Sequence, residues 1–169
     1  MYGYHGKAII VDLTTRQTRW EALDQATLTA FIGGTGLGAY LLYRHCPPGT
    51  EPLSPENPLI FAASLPTSSK FAVVAKSPLT GFIGDSLSSS FLATELKKTG
   101  CDAVVITGKS DALTLLSIED GEVRYLDAAD LAGLSTSETE SRVKERLGMR
   151  TRVACIGPAG ERLVRFASI

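Results

Sequence analysis

The chain has 169 residues, 44% of them hydrophobic and 21% charged, with 17 basic residues against 18 acidic ones. That composition suits one globular domain over residues 1–169 with a buried core, and the near-neutral balance argues against a dominant nucleic-acid or membrane-surface role. No apolar run approaches the ~18 residues that span a bilayer, and the start MYGYHGKAII lacks the basic and apolar regions of a signal peptide, so a cytoplasmic protein is expected.

In chain order, AIIVDLTTRQTRWEAL reads as a hairpin. Ile9, Val11 and Leu13 alternate with less apolar neighbours, Thr14–Gln17 supply a polar turn, and Thr18, Trp20 and Ala22 alternate on the return. DQATLTAFIGG predicts a short helix with Asp24 as its N-cap, closed by the glycines. TGLGAYLLYRHC is a second helical run with Leu37, Leu41 and Leu42 on one face. A turn-rich loop from Pro47 to Pro58 carries five prolines. LIFAAS and FAVVAKS are near-continuous apolar strands, and SPLTGFIGDSLSSS between the second of them and the next helix reads as a Gly/Ser-rich loop. SSSFLATELKKTG predicts a serine-capped helix ended by Lys97, Lys98 and Gly100.

The pattern then restarts. CDAVVITGK is a strand, LTLLSIEDGEVRYLDA a hairpin turning at Asp120–Gly121, and DLAGLSTSETESRVKERLG a capped helix ending at Gly148. TRVACIGPAG and RLVRFASI read as a closing strand pair. Each half thus runs hairpin, helix, strand, strand, which predicts an α+β fold of two pseudo-duplicated halves forming β-rich sheets, not a run of βαβ crossovers.

Cys46, Cys101 and Cys155 are scattered, without disulfide, zinc or iron–sulfur spacing, and His5 and His45 are isolated, so no metal ligand and no catalytic residue is assigned. The run FIGGTGLGAYLL concentrates glycines before a helix, as phosphate-cradling loops do. A dinucleotide fingerprint needs a strand leading straight into the glycines and an acid about twenty residues on, and a P-loop needs Gly-Lys-Ser/Thr; neither is present. The run is either a contact for some other phosphorylated group or a tight helix–helix turn packed on a sheet.

Seven fragments, in order, resemble one family: YGYHGKAIIVDLTT, FIGGTGLGAYLL, PLSPENPLIFAA, FAVVAKSPLTGFI, ELKKTGCDAVVITGKS, DAADLAGLSTSETE and IGPAGERLVRFASI. Together they are similar to the N-terminal domain of the tungsten-containing aldehyde ferredoxin oxidoreductases. The resemblance implies a β-rich base on which a bis-molybdopterin tungsten (or molybdenum) cofactor lies. In the family, the 4Fe-4S cluster and the proton-handling residues come from later domains. The implied activity is oxidation of aldehydes to carboxylic acids with electrons passed to ferredoxin, incomplete in this chain, and the implied partner is the remainder of the enzyme or another subunit.

The resemblance also implies where the cofactor is held. PTSSK, residues 66–70, stands where the family has Pro-Thr-Gly-Gly-Arg, and LSSS, residues 87–90, stands where it has Asn-Ser-Gly-Gly. The candidate cofactor-binding residues are therefore Lys70, Ser88, Ser89 and Ser90. Lys70 keeps the charge but not the bidentate fork of arginine, Ser89 and Ser90 add side chains where the family has none, and Thr35 sits where many members carry arginine. Lys76, at the far end of the same strand, is a weaker anion contact. These departures motivate an alternative in which the cofactor site is eroded and the fold serves as a non-catalytic binding or assembly module, covered by a partner or a second copy.

Overall fold

The structure is a computed structural model, and it describes residues 3–65 and 69–169. The elements are β1 (Lys7–Asp12), β2 (Gln17–Ala22), α1 (Gln25–Phe31), α2 (Gly34–His45), β3 (Leu59–Ala63), β4 (Lys70–Lys76), β5 (Ile83–Ser89), α3 (Phe91–Lys98), β6 (Ala103–Thr107), β7 (Thr114–Glu119), β8 (Glu122–Asp127), a 3-10 turn (Ala129–Leu131), α4 (Thr136–Leu147) and α5 (Pro158–Glu161). Six strands form one mixed sheet in the order β2-β1-β6-β3-β4-β5, and β7-β8 form a separate ribbon. Only β1 and β6 run parallel; every other pair is antiparallel.

Both faces of the central strands of the large sheet are covered, which is why those strands read as unbroken apolar runs. On one face Ala8, Ile10, Ile60, Ala72, Val74 and Val105 pack against Leu28 of α1 and Leu37 and Leu41 of α2. On the other, Ile9, Val11 and Val104 pack against Leu96 of α3 and the inner face of the ribbon, with Leu116, Ile118 and Val123. Leu115, on the opposite side of the ribbon, joins Leu131 and Val143 in a third cluster under α4. The helices are capped as their sequences dictate. The Asp24 carboxylate accepts the Thr27 amide at 2.7 Å, and Ser135 and Glu138 exchange reciprocal bonds at the start of α4.

Those caps make the domain sensitive to acid. The Thr27 amide holds the Asp24 carboxyl below its ordinary 3.8, the Thr15 amide does the same for Asp12, and the Ser135 hydroxyl holds Glu138 below 4.5. A carboxylate whose folded value is depressed stabilises the fold above its unfolded value, and that contribution disappears as pH falls through the folded one. Asp24→Ala is therefore expected to melt at a lower temperature than the parent at pH 7. Thermal scans from pH 7 down to pH 2 should show that gap closing below about pH 4, near the unfolded carboxylate value; a gap constant with pH would show that the charge has no part in the cap.

Two expectations change. GFIGDSLSSS is not all loop: Ile83–Ser89 pair with β4 along its whole length, from Lys76↔Ile83 to Lys70↔Ser89. The strand is an exposed edge whose Gly/Ser composition is unfavourable for strand by propensity, and the ladder offered by β4 overrides it. The α+β class stands, but the closing strand pair of the second half does not form. Residues 151–157 have no ladder partner and form no strand, Pro158–Glu161 is a helical turn with proline in its first turn, and residues 162–169 add no strand. The duplication is thus legible only in the hairpin–helix order, and β6, which opened the second half by sequence, is a central strand of the first sheet.

Candidate functional site

Lys70, Ser88, Ser89 and Ser90 come together at one end of the β4–β5 ladder. Lys70 is directly opposite Ser89, and Phe71 opposite Ser88. Directly opposed residues share a face. Lys70 and Ser89 therefore lie on the α2 side with Ala72 and Val74, while Ser88 lies on the α3 side with Phe71, whose ring stacks on Phe61 at 6.3 Å. The Ser90 amide donates to the Ser69 carbonyl at 2.9 Å, and its hydroxyl accepts the Leu92 amide at 3.1 Å as the N-cap of α3. Pro66, Thr67 and Ser68, the rest of the PTSSK segment, lie outside the described residues.

The start of α2 abuts the same end of the sheet. A Cβ on Gly33 would lie 2.9 Å from the Ala63 carbonyl oxygen, and one on Gly34 3.9 Å from Ser64 Oγ. The Ser64 amide in turn donates to the Lys70 carbonyl at 3.0 Å. The glycines within the helix are explained by packing. A Cβ on Gly36 would lie 2.3 Å from the Phe31 carbonyl oxygen, and one on Gly38 2.5 Å from Val74 Cγ2. Of the two readings of the run, the tight turn packed on a sheet accounts for these two positions. Thr35 donates its hydroxyl to Asp85 Oδ2 at 3.0 Å, tying α2 to β5. Sequence reasoning found no role for Asp85, because its partner is distant in the chain.

Lys76 is at the other end of β4 and is committed to structure: its ammonium donates to the Thr50 carbonyl at 2.6 Å, holding the proline-rich loop. Asn57 donates to the carbonyls of Pro52 and Lys76 from the same loop. Among the described residues no three His, Cys, Asp or Glu side chains converge as a metal site, and burial pushes the Cys101 thiol up, away from the thiolate form. No helix among them is long and apolar enough to cross a membrane. The Lys70 ammonium and the Ser89 hydroxyl, on one face, are in kind a donor set for phosphate, with the Ser88 hydroxyl on the other face, so the donor chemistry fits such a group.

Residues 8–169 match the family model described as the aldehyde ferredoxin oxidoreductase N-terminal domain. The chain belongs to this family. It is 41% identical over its whole length to a tungsten-containing aldehyde ferredoxin oxidoreductase of Pyrococcus furiosus and covers 29% of that protein. It is 35% identical, again over its whole length, to the WOR-like subunit of an aliphatic sulfonate oxidoreductase from the same organism, covering 30% of it. Among solved structures it superposes with a TM-score of 0.89 on the active site complex BamBC of benzoyl coenzyme A reductase in complex with 1,5-dienoyl-CoA. That match has 37% identity over 95% of this chain and 26% of the other. The chain therefore spans less than a third of the relatives it matches, and it aligns with a region shared by proteins named for different substrates.

Proposed function

We propose that this domain is the seat of a tungstopterin or molybdopterin cofactor within a larger oxidoreductase, and that the β4–β5 end is where the cofactor's phosphate is held. The observation that carries the reading is that the ladder register sets Lys70 opposite Ser89 and next to Ser88, with the Ser90 amide bonded to the Ser69 carbonyl, at the positions that the family resemblance marks for cofactor contact. Lys70 supplies the cation, Ser89 a hydroxyl on the same face, and Ser88 a hydroxyl on the opposite one. When bound, the metal centre would supply the two-electron redox chemistry, with aldehyde oxidation and ferredoxin reduction the activity that the tungsten relatives suggest. An iron–sulfur cluster would have to come from outside these 169 residues.

The test is metal and pterin analysis of the full-length enzyme. The expected result is tungsten or molybdenum together with pterin in the parent, and roughly tenfold weaker cofactor retention in Lys70→Ala, the scale of one charge-assisted hydrogen bond. Lys70→Arg should hold at least as well as the parent, because the fork is restored. A parent protein carrying neither metal nor pterin would sink the proposal and favour the non-catalytic module.

A further inference from the structure

Among the described residues, Arg19 meets Glu21, Lys98 meets Glu95 and Lys144 meets Glu140, each close in sequence, while Arg44 reaches Glu21 from α2. Arg152 has no such counter-charge among the described residues. Its guanidinium carbon instead lies 4.9 Å from the centre of the Phe91 ring. Phe91 is the first residue of α3, next in sequence to Ser90, so a distant segment of the chain brings this cation to the edge of the proposed seat.

The placement is built by the fold. Residues 151–156 alternate in exposure, with Thr151, Val153 and Cys155 half-buried and Arg152, Ala154 and Ile156 exposed. Val153 packs into the cluster under α4, and Cys155 Sγ lies 3.7 Å from the Thr136 carbonyl. With Val153 and Cys155 anchored, the alternate residues are left exposed, and Arg152 is one of those. A guanidinium held over an aromatic ring keeps its N–H fork free for an anion, and the ring fixes the group without neutralising it.

We infer that Arg152 is a second cation of the seat, taking a phosphate of the cofactor from the α3 side, the side of Ser88, while Lys70 serves the α2 side. The inference rests on the reading of the β4–β5 end as the seat. It adds a cation on the face of the sheet that Lys70 does not serve.

The experiment uses the full-length enzyme stripped of metal and pterin, titrated with inorganic pyrophosphate by calorimetry at low and high salt. Arg152→Ala should bind about tenfold more weakly and with a shallower salt dependence, Arg152→Lys should recover part of the loss, and Phe91→Leu should weaken binding about threefold by removing the platform, on the scale of charge-assisted and cation–π contacts. Thermal melting checks that each variant is folded; if Arg152→Ala is not, the Lys and Leu variants decide. Parent-like binding by Arg152→Ala beside weakened binding by Lys70→Ala overturns this inference and leaves the seat in place. Parent-like binding by both overturns the seat and the inference together.

Discussion

Replacing Asp102 with alanine is expected to destabilise this domain by about 3–5 kcal/mol, the range for removing one partner from a buried, hydrogen-bonded ion pair. The Asp102 side chain is fully buried and accepts the backbone amides of His5, Gly6 and Lys7 at 3.1, 2.7 and 3.4 Å, along with the Lys97 ammonium. Lys97 also donates to the Gly3 carbonyl at 3.2 Å and stands 4.9 Å from the Tyr4 ring. The Asp102 backbone closes the joint, its amide donating to Lys7 and its carbonyl accepting from Ala63. One carboxylate therefore fastens the entry to β1 and the last turn of α3 to the start of β6, and the backbone of the same residue adds the end of β3. Its loss strands three amides and an ammonium at once. Lys97→Met should cost less, because the carboxylate keeps its three amide donors and the Lys97 side chain is 15% exposed, which screens the pair. Urea unfolding of both variants checks the order. If Lys97→Met proves as costly as Asp102→Ala, the ion pair and not the amide cage carries the joint.

That joint was invisible in the sequence, and the reason is general to what the sequence does and does not disclose here. Features set by neighbours were legible. The Asp24 cap, the serine cap of α3, the Asp120–Gly121 turn with positive φ at both residues, and the stop at Gly148 each depend on a few adjacent residues. So did the apolar runs of β3, β4 and β6, whose burial on both faces leaves little alternation to misread. Features set by distant partners were not. β5 is a strand because β4 offers it a ladder, against its own Gly/Ser composition, and residues 151–157 lack a ladder partner despite a strand-like sequence. The candidate site divides in the same way. Lys70 and Ser88–Ser90 are candidates because a family motif marks them, and the ladder register puts Lys70 opposite Ser89. Asp85 and Arg152 carry no local signal, since each acquires its role from a contact across the fold, with Thr35 and with Phe91.

The glycine run yields the last of the large effects, and it separates a packing role from a ligand role. Gly36→Ala is expected to be the more damaging of two alanine substitutions, because its methyl would meet the carbonyl of Phe31, a backbone group at the end of α1. Relief would require the α1–α2 corner to open, at the expense of the Phe31–Tyr40 stack, whose ring centres are 4.7 Å apart. Gly38→Ala meets a side chain instead, Val74 Cγ2, but Val74 is fully buried in the cluster beneath α2. Overpacking of that kind costs about 1–3 kcal/mol, against which alanine returns up to about 1 kcal/mol of helix propensity. The clash at Gly38 should therefore vanish when its cause is trimmed. In a Val74→Ala background, Gly38→Ala is expected to be neutral or stabilising, giving a coupling energy of about 1–3 kcal/mol in a double-mutant cycle. Gly36→Ala should show no such rescue by Val74→Ala, since its obstacle is backbone. Cofactor retention supplies the second readout. If the run exists to let α2 lie close on β4, the Gly38→Ala/Val74→Ala protein should keep its pterin and metal at the parent level. A double variant that is stable but empty would return the glycines to the ligand.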